Sequence, residues 1–259
     1  MTLCPLRNPE MRRTDSAVIG DVHGCADELG ELLQLLLERS PDRRIRLVGD
    51  LLTKGPDPAG VVRILRDLQS SGVDIQSVCG NHDLQLLDSL VRLRNGEELD
   101  RLSHPDRRTI ERLDEDGRRN EAFGLLLETA DRIRCNAGPA TVIHGGIDPA
   151  LGLERTSNHE LVHRKARNGE RHWWLDYDGS DGLIVVGHKP VKSPVRVTRG
   201  DHPVAVNIDT GCVGGGRLTA YLVEADEFIA VESRQLSKRS GEFEIETTEI
   251  RCPGRQLTG

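Results

Sequence analysis

The residues able to do chemistry in this chain stand where short apolar runs end: Gly20-Asp21-Val22-His23-Gly24, Gly49-Asp50 and Gly80-Asn81-His82-Asp83. Asp21 and His23 are two apart, so both can face one cation, while Gly24 allows close backbone approach. Asp50 has two carboxylate oxygens and can bridge two cations, and Asn81 offers a neutral amide oxygen. His144, before Gly145-Gly146, and His188, after Gly187, bring imidazoles from later apolar runs. These residues predict one metal site of Asp21, His23 and Asp50 and a second of Asp50, Asn81, His144 and His188. Two divalent ions about 3.5–4 Å apart activate a water and stabilise a displaced oxygen. Carboxylate, amide and imidazole donors suit Mn²⁺ first, with Fe or Zn²⁺ as alternatives, and disfavour thiolate-selective metals.

Such residues need elements that bring them to one place. Ala17 to Ile19, Ile45 to Val48 and Val73 to Val78 read as short buried strands, each running into one of the three motifs. Between them Leu29, Leu32, Leu33 and Leu36, then Val61, Ile64, Leu65 and Leu68, fall at helical spacing. Leu87, Leu90 and Val91 mark a third helix. About thirty residues separate successive motifs, the length of a right-handed βαβ unit, whose ligands bind beyond the carboxyl ends of the strands. Residues 92–134 mix Arg, Asp and Glu densely and are expected to form a solvated helical insertion. Thr141 to His144 returns to a strand. Residues 150–180 read as irregular, with Trp173, Trp174 and Tyr177 as core anchors. From Leu183 the pattern is mostly β, through Pro203 to Ile208, Leu218 to Val223 and Glu227 to Val231.

Bulk properties narrow the function. A chain of 259 residues can bury a substantial core, and a net charge of -7 argues against a general nucleic-acid-binding surface. No apolar stretch reaches the ~18 residues of a membrane span, and Met1 to Arg13 lacks the apolar core of a secretory signal. Six scattered cysteines without a Cys-x-x-Cys pair fit a reducing cytoplasm, which is the expected location. The working domain is expected over residues 15–235, with 1–14 and 236–259 as peripheral segments.

In this order Gly-Asp-Val-His-Gly, Gly-Asp-Leu-Leu-Thr-Lys-Gly-Pro, Gly-Asn-His-Asp, His-Gly-Gly and Gly-His-Lys-Pro resemble the calcineurin-like metallophosphoesterases. The likeness runs from about Val18 to Val223. It is nearest the branch of protein Ser/Thr phosphatases, bacteriophage lambda phosphatase and symmetrical diadenosine tetraphosphate hydrolases. Val206 to Cys212, followed by Gly215 to Ala220, resembles that branch's closing segment. The resemblance implies an α/β four-layer sandwich of two mixed sheets flanked by helices. It implies the metal ligands given above, a metal-bridging hydroxide as nucleophile, and His82 as general acid toward the leaving oxygen. The expected substrate is a phosphorylated small molecule or dinucleoside polyphosphate, with a phosphoprotein, as for a protein Ser/Thr phosphatase, as the alternative. A catalytically silent binding domain is the rival from another class.

The sequence departs from the phosphatase pattern on the phosphate side. Thr53-Lys54 stands where that subgroup has Asp-Arg, and Cys79 where it has Arg. Lys54 keeps a charge without the bidentate fork, and Cys79 offers neither. Lys54 and Asn81 are the expected substrate contacts. Asp83 reads as an acid complementing a helix dipole, and Cys25, Cys79 and Cys212 as small buried packing residues. His104, His159, His163, His172 and His202 have no ligand spacing.

Overall fold

Strand β1 (Ser16–Ile19) has both faces covered, and its alternation is visible only in which core each residue joins. Ala17 and Ile19 point outward to helices, whereas Val18 points inward to a second sheet. In this computed structural model the described residues are 15–164, 166, 170–236 and 250–252. The expected segment 1–14 and most of 236–259 lie outside them.

The remaining elements follow in order: α1 (Ala26–Arg39), β2 (Arg44–Leu47), α2 (Pro58–Ser70), β3 (Ile75–Ser77), α3 (Asn81–Arg94), α4 (His104–Glu115), α5 (Arg119–Ala130), β4 (Arg134–Ala137), β5 (Ala140–Ile143), α6 (Asn158–His163), α7 (Trp173–Asp176), β6 (Leu183–Val186), β7 (Val195–Arg199), β8 (His202–Asn207), β9 (Arg217–Leu222), β10 (Glu227–Glu232) and β11 (Ile250–Cys252). One sheet runs β10-β9-β1-β2-β3 and the other β11-β7-β8-β6-β5-β4. β1, β2 and β3 are parallel in the first; β5, β6 and β8 are parallel in the second. Antiparallel neighbours make both sheets mixed.

Val18, Val48, Val78 and Tyr221 from the first sheet meet Ala140, Val142, Val185 and Val206 from the second in the inner core. With few aromatics in the chain, this layer is built largely of Val and Ala, so the sheets can lie close. The outer face of the first sheet is covered by α1 to α5. That of the second is covered by α6, α7 and their loops, where Trp173, Trp174 and Tyr177 are buried as expected. The result is the two-sheet sandwich with flanking helices that the sequence resemblance implied. Among the described residues no helix is long and apolar enough to cross a membrane.

Local signals account for the helices that matter to the site. Leu29, Leu32, Leu33 and Leu36 are the buried stripe of α1, as their spacing predicts. Asp57 accepts the Gly60 N–H at 2.6 Å and Pro58 opens α2. Two expectations need correction. The stretch 150–180 is not wholly irregular, since it contains α6 and α7. The segment 92–134 is not simply solvated: Ile110, Leu113, Ala122, Leu125 and Leu126 join the core over the first sheet. Its charged residues occupy the other faces of α4 and α5, so a helix rich in Arg and Glu still presents an apolar stripe. Arg112 on α4 also donates to the Gly55 carbonyl, bracing the loop that carries Lys54. Ile110→Ala is therefore expected to lower stability by about 2–5 kcal/mol in urea denaturation, whereas exposed Arg108→Ala should change it by less than about 0.5 kcal/mol.

Candidate metal centre

Each parallel strand delivers a donor just past its carboxyl end. β1 is followed by Asp21 and His23, β2 by Asp50, β3 by Asn81, β5 by His144, β6 by His188 and β8 by Asp209. The structure brings the predicted ligands together. His23 Nε2 lies 3.4 Å from Asp50 Oδ2, and His144 Nε2 lies 3.5 Å from Asp50 Oδ1. His144 Nε2 is 3.1 Å from Asn81 Oδ1, and the rings of His144 and His188 meet edge-on at 4.9 Å. Ligand atoms of Asp50, His144 and His188 form one cluster within 4.8 Å, and those of His23, Asp50 and His82 another. Asp50 belongs to both. Asp21 sits beside them, its carboxylate accepting the His188 backbone N–H at 3.1 and 3.2 Å.

The backbone is bent hard to achieve this. His23, Asp50, Lys54 and His188 all have positive φ, between 47° and 74°, a conformation that side chains with a Cβ seldom adopt. Strain of this kind persists where surrounding structure over-determines it, and it concentrates at functional sites. Two glycines show the crowding. A Cβ on Gly80 would stand 2.2 Å from Asp50 Oδ1, and one on Gly187 would stand 2.0 Å from Asp21 Oδ1. At these two glycines a carboxylate from another strand end passes.

Hydrogen bonds lock the donors in place. His144 Nδ1 donates to the Val48 carbonyl at 2.7 Å, which leaves Nε2 as a lone pair facing Asp50 and Asn81. Asp83, expected as an acid complementing a helix dipole, does stand in the first turn of α3 and does more besides. Its carboxylate in fact accepts three backbone N–H groups, from Asp50 at 2.8 Å, Leu51 at 2.9 Å and Gly80 at 3.0 Å. In return Asp50 Oδ1 accepts the His82 N–H at 2.9 Å. The second and third motifs are therefore clamped to each other by reciprocal charged hydrogen bonds.

Burial dominates the electrostatics. It raises Asp21, with Asp209 and Asp50 adding repulsion, and it pushes Asp50 and Asp209 up to about 7. Burial also depresses the imidazoles, His23 well below its usual value and His144 to about 3. Crowded acids that resist ionising beside imidazoles that stay neutral form a donor set that fits divalent cations. Asp209 escaped the sequence reading. It is 4% exposed, and its Oδ1 accepts the Gly211 N–H at 3.0 Å. The signal available was its position two residues past the end of a strand, like Asp21.

The expected substrate side is placed as follows. Lys54 is exposed on the rim, with Nζ 3.2 Å from His23 Nε2. Thr53 is buried, its Oγ1 3.4 Å from His23 Nδ1. The His82 ring meets His23 edge-on at 5.3 Å. Cys79 is buried, which raises its thiol to about 12.

This arrangement coincides with a known family, whose model, described as calcineurin-like phosphoesterase, matches residues 16–217. The chain belongs to the calcineurin-like phosphoesterases. It is 32% identical over 244 residues to the asymmetrical bis(5'-nucleosyl)-tetraphosphatase PrpE of Bacillus velezensis, covering 83% of this chain and 92% of the relative. The Bacillus subtilis protein of the same name is 30% identical, with 83% and 93% covered. A solved protein described provisionally as a diadenosine tetraphosphatase shares the fold, with a TM-score of 0.65 at 23% identity, covering 86% of this chain and 95% of that one. As a member of this family the chain is a hydrolase of phosphoester or phosphoanhydride bonds that works with divalent metal ions, and the acid, amide and imidazole donors here fit such ions.

The pKa pattern fixes the sign of a pH effect. Below about 7 the metal-free site holds protons on Asp50 and Asp209 that a cation must displace, while His144 stays neutral down to about 3. Mn²⁺ affinity in calorimetric titrations should weaken as pH falls below about 7, roughly tenfold per unit for each carboxylate involved, and level off above it. A flat profile would remove the carboxylates from the ligand set. Asp83→Asn turns a donor NH₂ toward backbone N–H groups that need an acceptor. It should cost about 1–3 kcal/mol of stability and weaken Mn²⁺ binding in the same titration.

Proposed function

We propose that this chain hydrolyses dinucleoside polyphosphates at a dinuclear centre, cleaving them asymmetrically. The observation that carries the reading is Asp50 at the carboxyl end of a parallel strand, its Oδ2 3.4 Å from His23 Nε2 and its Oδ1 3.5 Å from His144 Nε2, so that one carboxylate faces two groups of donors. The names of the relatives support the substrate class and supply the asymmetry, in place of the symmetrical hydrolases toward which the sequence motifs pointed.

In this reading Asp21, His23 and Asp50 hold one ion, and Asp50, Asn81, His144 and His188 the other. Two divalent ions there supply Lewis-acid polarisation of the phosphoryl oxygens and of the attacking water. Neither cluster contains sulfur, so Mn²⁺ is the preferred ion, before Fe or Zn²⁺. Asp83 and the Val48 carbonyl orient Asp50 and His144, so the ligands need no rearrangement as charge develops. His82, at the start of α3 beside Asn81, donates a proton to the departing oxygen. Lys54 on the rim neutralises phosphate charge, and Asn81 is the second substrate contact. Both substrate and enzyme are placed in the cytoplasm.

The experiment is to incubate the Mn²⁺-loaded protein with diadenosine tetraphosphate and with a phosphoserine peptide, and to separate the nucleotide products. ATP and AMP in equal amounts, with little phosphate released from the peptide, are expected. Two ADP per substrate would overturn the asymmetric reading, and preference for the peptide would make the protein a Ser/Thr phosphatase. His82→Ala should lower kcat by about 10²- to 10⁴-fold with little change in Mn²⁺ affinity.

A further inference from the structure

We propose that Cys25, Glu28 and Cys212 form a second metal site, closed and thiophilic, behind the candidate catalytic centre. One ligand atom from each of the three converges within 4.8 Å of the others. Cys25 and Cys212 are 0% and 1% exposed, and Glu28 is 1% exposed. The three come from separate parts of the chain. Cys25 precedes α1 and follows His23 by two residues, Glu28 lies in the first turn of α1, and Cys212 opens the short 3₁₀ turn Cys212–Gly214 beyond Asp209.

The carboxylate of Glu28 is the observation that points to a ligand. Its Oε1 accepts the backbone N–H of Arg234 at 2.7 Å and the Nε2 of Gln235 at 3.3 Å. Its Oε2 is buried and accepts no hydrogen bond among the described residues. The Arg234 guanidinium turns away to Asp27 and Glu31, and no described cation pairs with Glu28. A buried carboxylate oxygen with neither hydrogen bond nor counter-charge is unfavourable unless a cation or proton compensates. Here two sulfurs stand within 4.8 Å of the Glu28 carboxylate.

A disulfide between Cys25 and Cys212 would use the sulfurs and leave the Glu28 oxygen stranded. A cation uses all three. Two thiolates and a carboxylate select a Zn²⁺-type ion, with M–S near 2.3 Å and M–O near 2.0–2.2 Å. Tetrahedral bonds of that length set ligand atoms roughly 3.4–3.8 Å apart, inside the observed limit. Ligation releases the thiol protons to solvent and leaves the fourth tetrahedral position to a backbone carbonyl or water. Such a site would tie the loop of His23, the turn beyond Asp209 and the segment after β10 into one unit. Its contribution is to folding, since a closed site fills as the chain folds. It is chemically distinct from the candidate catalytic centre, which offers no sulfur in its ligand clusters.

Cobalt distinguishes the two centres, because only thiolate ligands give an intense sulfur-to-cobalt charge-transfer band in the near ultraviolet. Full-length protein produced in Co²⁺-supplemented medium should show this band together with one equivalent of cobalt that resists brief chelation. Cys212→Ser and Cys25→Ser should each abolish the band and that equivalent, and Asp50→Asn should retain both. Glu28→Gln, which keeps shape and both sulfurs, should weaken cobalt retention at least tenfold if the Ser variants do not fold. No band in the wild type, a band that survives both Cys substitutions, or an intact mass lighter by the two hydrogens of a disulfide would each overturn the proposal.

Discussion

Crowding of negative charge away from water is the constraint around which this molecule is arranged. Asp21, Asp50 and Asp209 are 4%, 2% and 4% exposed and lie close enough that Asp50 raises both others and Asp209 raises Asp21. Such a group is unfavourable in its ionised state, and local structure alone would not hold it together. What holds it is the sandwich behind it. Six parallel strands, three from each sheet, end at the same edge with their inner faces packed in the apolar core shared by both sheets. Separating the acids would mean separating the sheets. The fold therefore stores at its edge an electrostatic demand that divalent cations meet.

The same logic explains why the connecting loops are strained and glycine-marked. A donor that must turn back toward the strand end needs left-handed backbone, as at His23, Asp50 and His188. A neighbouring carboxylate that must pass within van der Waals range needs a residue without a Cβ, as at Gly80 and Gly187. These costs are offset locally by charged hydrogen bonds, chiefly the Asp83 carboxylate on three backbone amides. The helices contribute indirectly. Arg112 on α4 reaches the Gly55 carbonyl, so a segment that is distant in sequence steadies the loop that presents Lys54.

Much of this was legible before the structure. An apolar run ending in Gly-Asp or Gly-Asn, repeated at βαβ spacing, is a local signal, and the residues it marks converge as expected. The leucines of α1 follow the same rule. What was not legible is tertiary. Asp83 stands at the start of a helix, where an acid has a sufficient local explanation, and its partners Asp50 and Leu51 lie more than thirty residues earlier. Asp209 is flanked by Thr210-Gly211 and reads as a turn. β4, Arg134-Cys135-Asn136-Ala137, is an edge strand with exposed alternate residues and so lacks an apolar run. The apolar stripe of α4 was masked by the charge density around it. In each case the missing information was which surface the residue would face.

The division within the site follows from the same chemistry. On the proposed reading every metal-ligand position is filled, whereas the phosphate side has Lys54 where the phosphatase pattern has Arg and the buried Cys79 where it has another. A phosphomonoester concentrates a dianion on the one phosphorus under attack, and a bidentate guanidinium fork matches it. A dinucleoside polyphosphate spreads its charge along a chain of phosphoryl groups, most of them away from the reacting centre. A single ammonium on a flexible stem at the rim can follow that charge, and the fork is then dispensable. On the proposed reading, the departures at Lys54 and Cys79 are a shift of recognition from one phosphate to a chain of them, made without touching a metal ligand.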